Sequence, residues 1–151
     1  MASMTAALEW NEAFSVGHPE LGAEHRRMVD LIDRLCRHDT AHCPEERIAL
    51  LRDLQELTAR HFEHEESVLK ALYSATPTDR QTMRETLATA QVSHAAEHRQ
   101  RLSDLQAMAD VVASQPLVRT TEHSLCEDLK AWFIDHAIGY EAQIKTIMQS
   151  T

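Results

Sequence analysis

Five histidines and two glutamates, His25, His61, Glu65, His94, His98, His136 and Glu141, recur along a 151-residue chain at spacings that suit a metal centre in a helical bundle. His61 and Glu65 stand four residues apart in HFEHEE, and His94 and His98 four apart in HAAEH. Residues at i and i+4 share one face of an α-helix, so each pair aims two donors at one point. Imidazole nitrogen combined with carboxylate oxygen suits iron, zinc or manganese in preference to calcium or magnesium. Two rival metal chemistries lack their motifs. No glutamate is followed three residues later by histidine, the pairing used by ferritin-like di-iron sites, and the HExxH of zinc peptidases is absent. A bundle that buried these five histidines without metal would strand polar nitrogens at substantial cost.

The elements that position these residues follow from proline placement and apolar period. Pro19, Pro44, Pro77 and Pro116 each stand near the start of a helix-length segment, where the missing N–H is harmless and the fixed φ favours the first turn. The expected helices span about 19–38, 44–74, 77–112 and 116–149, with ends uncertain by ~2 to 4 residues. Leu50, Leu51, Leu54, Leu57, His61, Glu65, Val68, Leu69 and Leu72 repeat at three- and four-residue steps, so one stripe carries both core and ligands. Leu21, His25, Met28, Val29, Ile32 and Leu35 do the same in the first segment, and Leu125, Leu129, Trp132, Phe133 and His136 in the fourth. Short connections make neighbours antiparallel. The expected fold is therefore all-α, an up-down-up-down four-helix bundle in a single domain over 1–151, with residues 1–18 as an N-terminal arm whose Trp10 and Phe14 can pack over a bundle end.

Composition narrows the partners. A net charge of -9 disfavours nucleic acid and anionic membrane surfaces, and no apolar run of about 18 residues or signal-peptide pattern appears. The expected location is cytoplasmic. Cys36, Cys43 and Cys126 are odd in number and lack CxxC spacing, so reduced thiols are expected.

With these motifs in hand, the chain resembles the bacteriohemerythrins, the bacterial branch of the hemerythrin family, over nearly its whole length. The resemblance is carried by W-N-E-A-F-S-V-G-H-P-E-L (Trp10 to Leu21), A-E-H-R-R-M, H-F-E-H-E-E, H-A-A-E-H and W-F-I-D-H. It implies two non-haem irons with an oxo or hydroxo bridge that bind dioxygen reversibly, as an oxygen carrier or store and not as an enzyme. In the family pattern His94, His98 and His136 hold one iron, His25 and His61 the other, and Glu65 with the helix-four carboxylate bridges both. The iron with two histidines keeps the open position. Some relatives are sensor input domains of diguanylate cyclases and chemotaxis receptors, so an oxygen or redox sensor that signals to an output module is the alternative; peroxide or nitric oxide reduction at the same site is a third. Sequence does not separate them.

Three departures from the family pattern stand out. Glu141 lies five residues after His136, where an aspartate is usual, and a step of five turns about 140° round an ideal α-helix. Either a widened turn near Gly139 brings Glu141 to the metal, or Tyr140 faces inward and the site is a carboxylate short. Phe133 and Ala137 replace an aliphatic residue and an isoleucine in the oxygen pocket, a swap that roughly conserves volume; Met28, Phe62 and Trp132 complete its apolar wall. Finally, 33 residues separate position 63, between His61 and Glu65, from position 96, between His94 and His98, about fourteen more than usual. Seven extra residues on each helix are two turns apiece, so helices two and three should form an extended hairpin available to the arm, the C-terminal turn, a signalling partner or a second copy. Of the other histidines, His18 and His123 read as surface or capping residues, His64 as solvent-exposed or else reaching the edge of the site, and His38 and His42, near Cys36 and Cys43, as the material for a remote second metal site or simply helix-end charges.

Overall fold

Apolar residues at three- and four-residue steps, with few glycines to interrupt them, fold into long helices. The computed structural model describes residues 8–15, 17–37, 44–114 and 119–150. Its helices are α1 (Pro19–Leu35), α2 (Pro44–Ala75), α3 (Gln81–Ser114), α4 (Arg119–Ile134) and α5 (Glu141–Ser150). A 3₁₀ turn occupies Glu12–Phe14, and a π-turn over Asp135–Tyr140 joins α4 to α5. α4, the π-turn and α5 form the fourth rod of an all-α four-helix bundle.

Local chemistry accounts for the helix ends and for two departures from the expected boundaries. Pro19 begins α1, and the His18 ring caps it by accepting from the Leu21 N–H at 3.4 Å. α1 stops at Leu35 and not near 38, because the Cys36 N–H folds back onto the carbonyls of Ile32 and Asp33. α3 starts at Gln81 and not at Pro77: the Arg80 N–H donates to the Pro77 carbonyl at 3.0 Å, so Pro-Thr-Asp forms the reversing turn that these residue types favour. Pro116, His38, His42 and Cys43 lie outside the described residues.

Two apolar clusters fill the bundle. The larger includes Met28, Ile32, Leu51, Leu54, Phe62, Leu105, Leu129 and Phe133. The smaller joins Leu69, Leu87 and Ala90 of the α2/α3 hairpin to Ile144 and Ile147 of α5, with Leu72 and Met83 against it. The extended hairpin therefore packs on the C-terminal helix. Along α2, α3 and the fourth rod, His61, Glu65, His94, His98 and His136 fall between the two clusters, in a polar layer with apolar packing above and below. The arm is docked as well: Phe14 is buried and meets Phe133 edge-on at 5.1 Å, and Arg26 lies over the Trp10 ring at 4.1 Å.

The cysteines depart from expectation. Cys36 and Cys126 form a disulfide, with Cα atoms 5.6 Å apart and a sequence separation of 90. Odd count and absent motif spacing do not reveal such a pair, because the bundle, not the local sequence, brings the end of α1 beside α4. Among the described residues no helix is long and apolar enough to cross a membrane.

Candidate metal centre

α2 and α3 each place two donors on one inner face, and α1 and the π-turn each add one histidine. His25, His61, Glu65, His94 and His136 are fully buried, and His98 nearly so. Glu65 occupies the middle. Its Oε1 lies 2.5 Å from His61 Nε2 and 3.2 Å from His136 Nε2, while its Oε2 lies 2.8 Å from His98 Nε2 and 3.9 Å from His94 Nδ1. His25 Nε2 approaches His61 Nε2 to 3.0 Å. Two donor groups result, His25–His61–Glu65–His136 and Glu65–His94–His98, with one carboxylate common to both.

Outer partners decide which ring nitrogens carry protons. The Phe14 carbonyl only accepts, so His25 Nδ1–H donates to it at 2.7 Å. His61 Nδ1 faces the Glu24 carboxylate at 2.5 Å, and His98 Nδ1 faces Glu66 at 3.0 Å. Neutral rings so anchored present Nε2 lone pairs to the Glu65 oxygens and to one another. Acceptors facing acceptors in a dry interior require a positive species between them, a proton or a metal cation. Imidazole and carboxylate are the donors that a divalent transition metal takes, so the residues present fit a metal.

Electrostatics expresses the same requirement. Burial pushes His25 down to about 3, helped by the charges of His61 and His136. Burial also works against a charged His61, yet hydrogen bonds to Glu24 and Glu65 win and raise it to about 9. Desolvation would raise Glu65, but the surrounding His136 and His61 hold it well below the usual carboxylate range. The cluster thus retains anionic Glu65 and distributes positive charge over its neighbours.

Several of these functional neighbours escaped the sequence reading. Glu24 joins His61 to His64, whose Nδ1 lies 2.7 Å from the same carboxylate and whose Nε2 lies 3.2 Å from Glu20. His64 is thus half-buried in a carboxylate chain and not simply solvated. Glu97 sits 3.6 Å from His136 Nδ1 and binds Arg101 Nε at 2.5 Å. Metal-bound histidines commonly carry such outer carboxylates, and an acidic residue beside each ligand motif was the available clue. Glu97, His98 and His136 also form a donor group, but Glu97 faces the nitrogen of His136 directed away from Glu65, the position of a support.

The five residues expected in an oxygen pocket are all buried and belong to the larger apolar cluster. Phe133 meets His25 edge-on at 5.6 Å, and Met28 and Ala137 share its cluster. Phe62 instead stacks flat on His98 at 4.0 Å. Trp132 is tied to α3, its Nε1–H donating to the Arg101 carbonyl at 3.2 Å.

The expected widened turn is present. A π-turn closes i→i+5 hydrogen bonds, and Asp135–Tyr140 spans the step from His136 toward Glu141. The Glu141 backbone opens α5, while the side chains of Glu141 and Tyr140 lie outside the described residues. Gly139 has no left-handed φ, and nothing within 4 Å would obstruct a Cβ there, so the turn does not depend on glycine.

A four-helix bundle with a buried histidine and carboxylate cluster at its waist defines a metal-binding helical protein. Residues 16–145 match the hemerythrin HHE cation-binding domain, and the chain belongs to the hemerythrin family. No curated protein and no solved structure matches.

Proposed function

We propose that the centre holds two iron ions and binds dioxygen reversibly, so that the protein carries, stores or delivers oxygen. The observation that supports two ions is Glu65, each of whose oxygens faces a different set of histidines. When bound, an iron pair lends electrons to dioxygen and recovers them on release. His25 and His61 would hold one ion, and His94 and His98 the other. His136 stands between them: its approach to His61, 3.4 Å between Nε2 atoms, favours the first set, whereas its Nδ1 contact with Glu97 of α3 favours the second. We assign it to the second, as the family resemblance implies, and this leaves the His25–His61 ion with fewer protein ligands and room for a small molecule. Glu65 would be shared by the two ions, and Glu141, which follows the π-turn in sequence, would supply the second carboxylate.

The chain's own residues then set the conditions of binding. The Phe14 carbonyl and Glu24 hold His25 and His61 in the tautomer that presents Nε2. Phe133, Met28 and Ala137 exclude water beside His25, which protects a bound oxygen from proton-driven loss.

The test is iron stoichiometry in the reconstituted protein, with visible spectra recorded anaerobically, in air and again after oxygen removal. Two irons per chain and a spectrum that reverses are expected. A single zinc in protein supplied with ample iron, or a spectrum insensitive to oxygen, would overturn the assignment.

A further inference from the structure

The seam between α1 and α4 is thinly packed beside the two that α2 forms with α1 and α3. α2 packs extensively on α3 and α1, whereas α1 and α4 meet at few points. Beside the metal centre those points are aromatic: Phe133 against Phe14 and His25, and His136 5.8 Å from His25 between ring centres. At the far end the seam is closed by the Cys36–Cys126 bond. Eleven residues separate Cys36 from His25 and ten separate Cys126 from His136, so at a rise of 1.5 Å per residue the bond lies about 15 Å along the helices from the centre. Of the two helices it joins, α1 carries His25, and α4 runs on into the π-turn that carries His136.

We propose that Cys36 and Cys126 form a thiol-reducible latch across this seam, a second redox centre made of sulfur, whose opening loosens the helices that carry His25 and His136. The chemistry is thiol–disulfide exchange. A small-molecule thiolate attacks Cys36 Sγ, the half-buried sulfur, and the S–S bond breaks with its electron pair leaving on Cys126, which takes a proton from solvent. A second thiol then attacks the mixed disulfide, releasing the oxidised small-molecule disulfide and the Cys36 thiol. Two electrons and two protons pass from the small thiols to the protein.

The surroundings favour this step. Cys126 is buried, but it borders a cleft of about 20 Å³, room for roughly one water, lined also by Leu35, Arg37, Arg47, Leu51 and Glu122. Arg37, paired with Asp33, and Arg47, paired with Glu122, border the same cleft. A protein disulfide in a reducing compartment is characteristically transient and responsive. The latch makes the stiffness of the metal-bearing seam follow the thiol poise of the surroundings.

The experiment uses the full-length, metal-loaded Cys43→Ser protein, which leaves only this pair of cysteines. After equilibration with oxidised glutathione, thiol titration in denaturant should find no free thiol, and two after dithiothreitol. Reduction should lower the melting temperature by roughly 10 °C, as expected for opening a loop of this length. Hydrogen exchange should accelerate in the last turns of α1 and around Cys126 in α4 while the α2/α3 hairpin stays protected. Cys126→Ser in the same background should melt like the reduced protein and be indifferent to dithiothreitol. Ferrous iron should pass to a chelator several-fold faster from the reduced form. That last arm rests on the di-iron reading, whereas the thiol count and melting shift do not, so failure of the iron assignment leaves them intact. Two free thiols after glutathione oxidation, or equal melting temperatures with and without dithiothreitol, would overturn the latch.

Discussion

Replacing Glu24 by glutamine tests the outer shell of the centre at its most consequential point. One carboxylate serves two rings, with Oε2 at 2.5 Å from His61 Nδ1 and Oε1 at 2.7 Å from His64 Nδ1. Glutamine keeps the shape but offers a single acceptor and no charge, so one ring loses its partner and His61 becomes a weaker base. Loss of such an outer partner typically costs 10- to 100-fold in metal affinity, about 1.4 to 2.8 kcal/mol. Burial predicts a ranking. The Glu24 side chain is 17% exposed, whereas that of Glu66, the partner of His98, is 43% exposed, and solvent already screens much of the latter's contribution. Glu66→Gln should therefore cost less than ~3-fold, well under one kcal/mol, as for exposed pairs. His64→Ala, which leaves the charge on Glu24, should also cost little. Competition between the metal-free variants and a chromophoric chelator, with ferrous iron under anaerobic conditions and with zinc, measures all three. Equal losses in Glu24→Gln and Glu66→Gln, or an unchanged Glu24→Gln, would show that these contacts do not tune the ligands.

Three further outcomes follow. Phe133→Leu, at a fully buried ring against Phe14 and His25, should cost about 1 to 2 kcal/mol in urea denaturation and shorten the life of the oxygenated protein in stopped-flow; adding Ala137→Ile should restore part of both, and strictly additive effects would mean the two do not share a cavity. Gly139→Ala should stabilise the protein by ~0.5 to 1 kcal/mol, because the site is exposed and unobstructed with an ordinary φ; destabilisation would show that the π-turn needs glycine's freedom. In metal-free protein His61 is raised to about 9, against desolvation, by Glu24 and Glu65. A raised pKa gives stability that is complete below the unfolded value near 6.5 and disappears as pH climbs through the folded one. The urea midpoint of metal-free protein should therefore fall between pH 6.5 and 9, and a flat profile there would refute the protonated His61. His25, held low by burial, acts below that window, where its stabilising effect is lost as pH falls.

How far the sequence reached follows the range of the interactions concerned. The clustered donors on long amphipathic helices were legible because the 3.6-residue period that builds the core also aims His61, Glu65, His94 and His98 inward, and a period survives small errors in helix ends. The π-turn was one of the alternatives that the five-residue step from His136 to Glu141 raised, and the structure has it over Asp135–Tyr140. Glu24, Glu66 and Glu97 were not assigned, because each contacts a histidine through the approach of two helices, 37 residues apart in the case of Glu24 and His61. The disulfide was hidden for the same reason. Pro77 misled because proline serves equally at a helix start and in a turn, and only Thr78 and Asp79 beside it tipped the balance.

The arm shows how far such tertiary approach extends the centre beyond its helices. Asn11 caps the 3₁₀ turn by accepting from the Ala13 N–H at 2.9 Å, and Gly17, at φ 75°, takes the left-handed conformation that lets the chain enter α1. Between these two devices the backbone is directed so that the Phe14 carbonyl meets His25 Nδ1 while its ring lies on Phe133. One residue of the arm thus sets the tautomer of a ligand histidine and supports the ring that keeps water from it. A side chain other than glycine at 17 would strain the turn and displace both contacts together, coupling His25 to residues that carry no metal-binding group. The donor set is written on the helices, but the orientation of His25 is written in the arm.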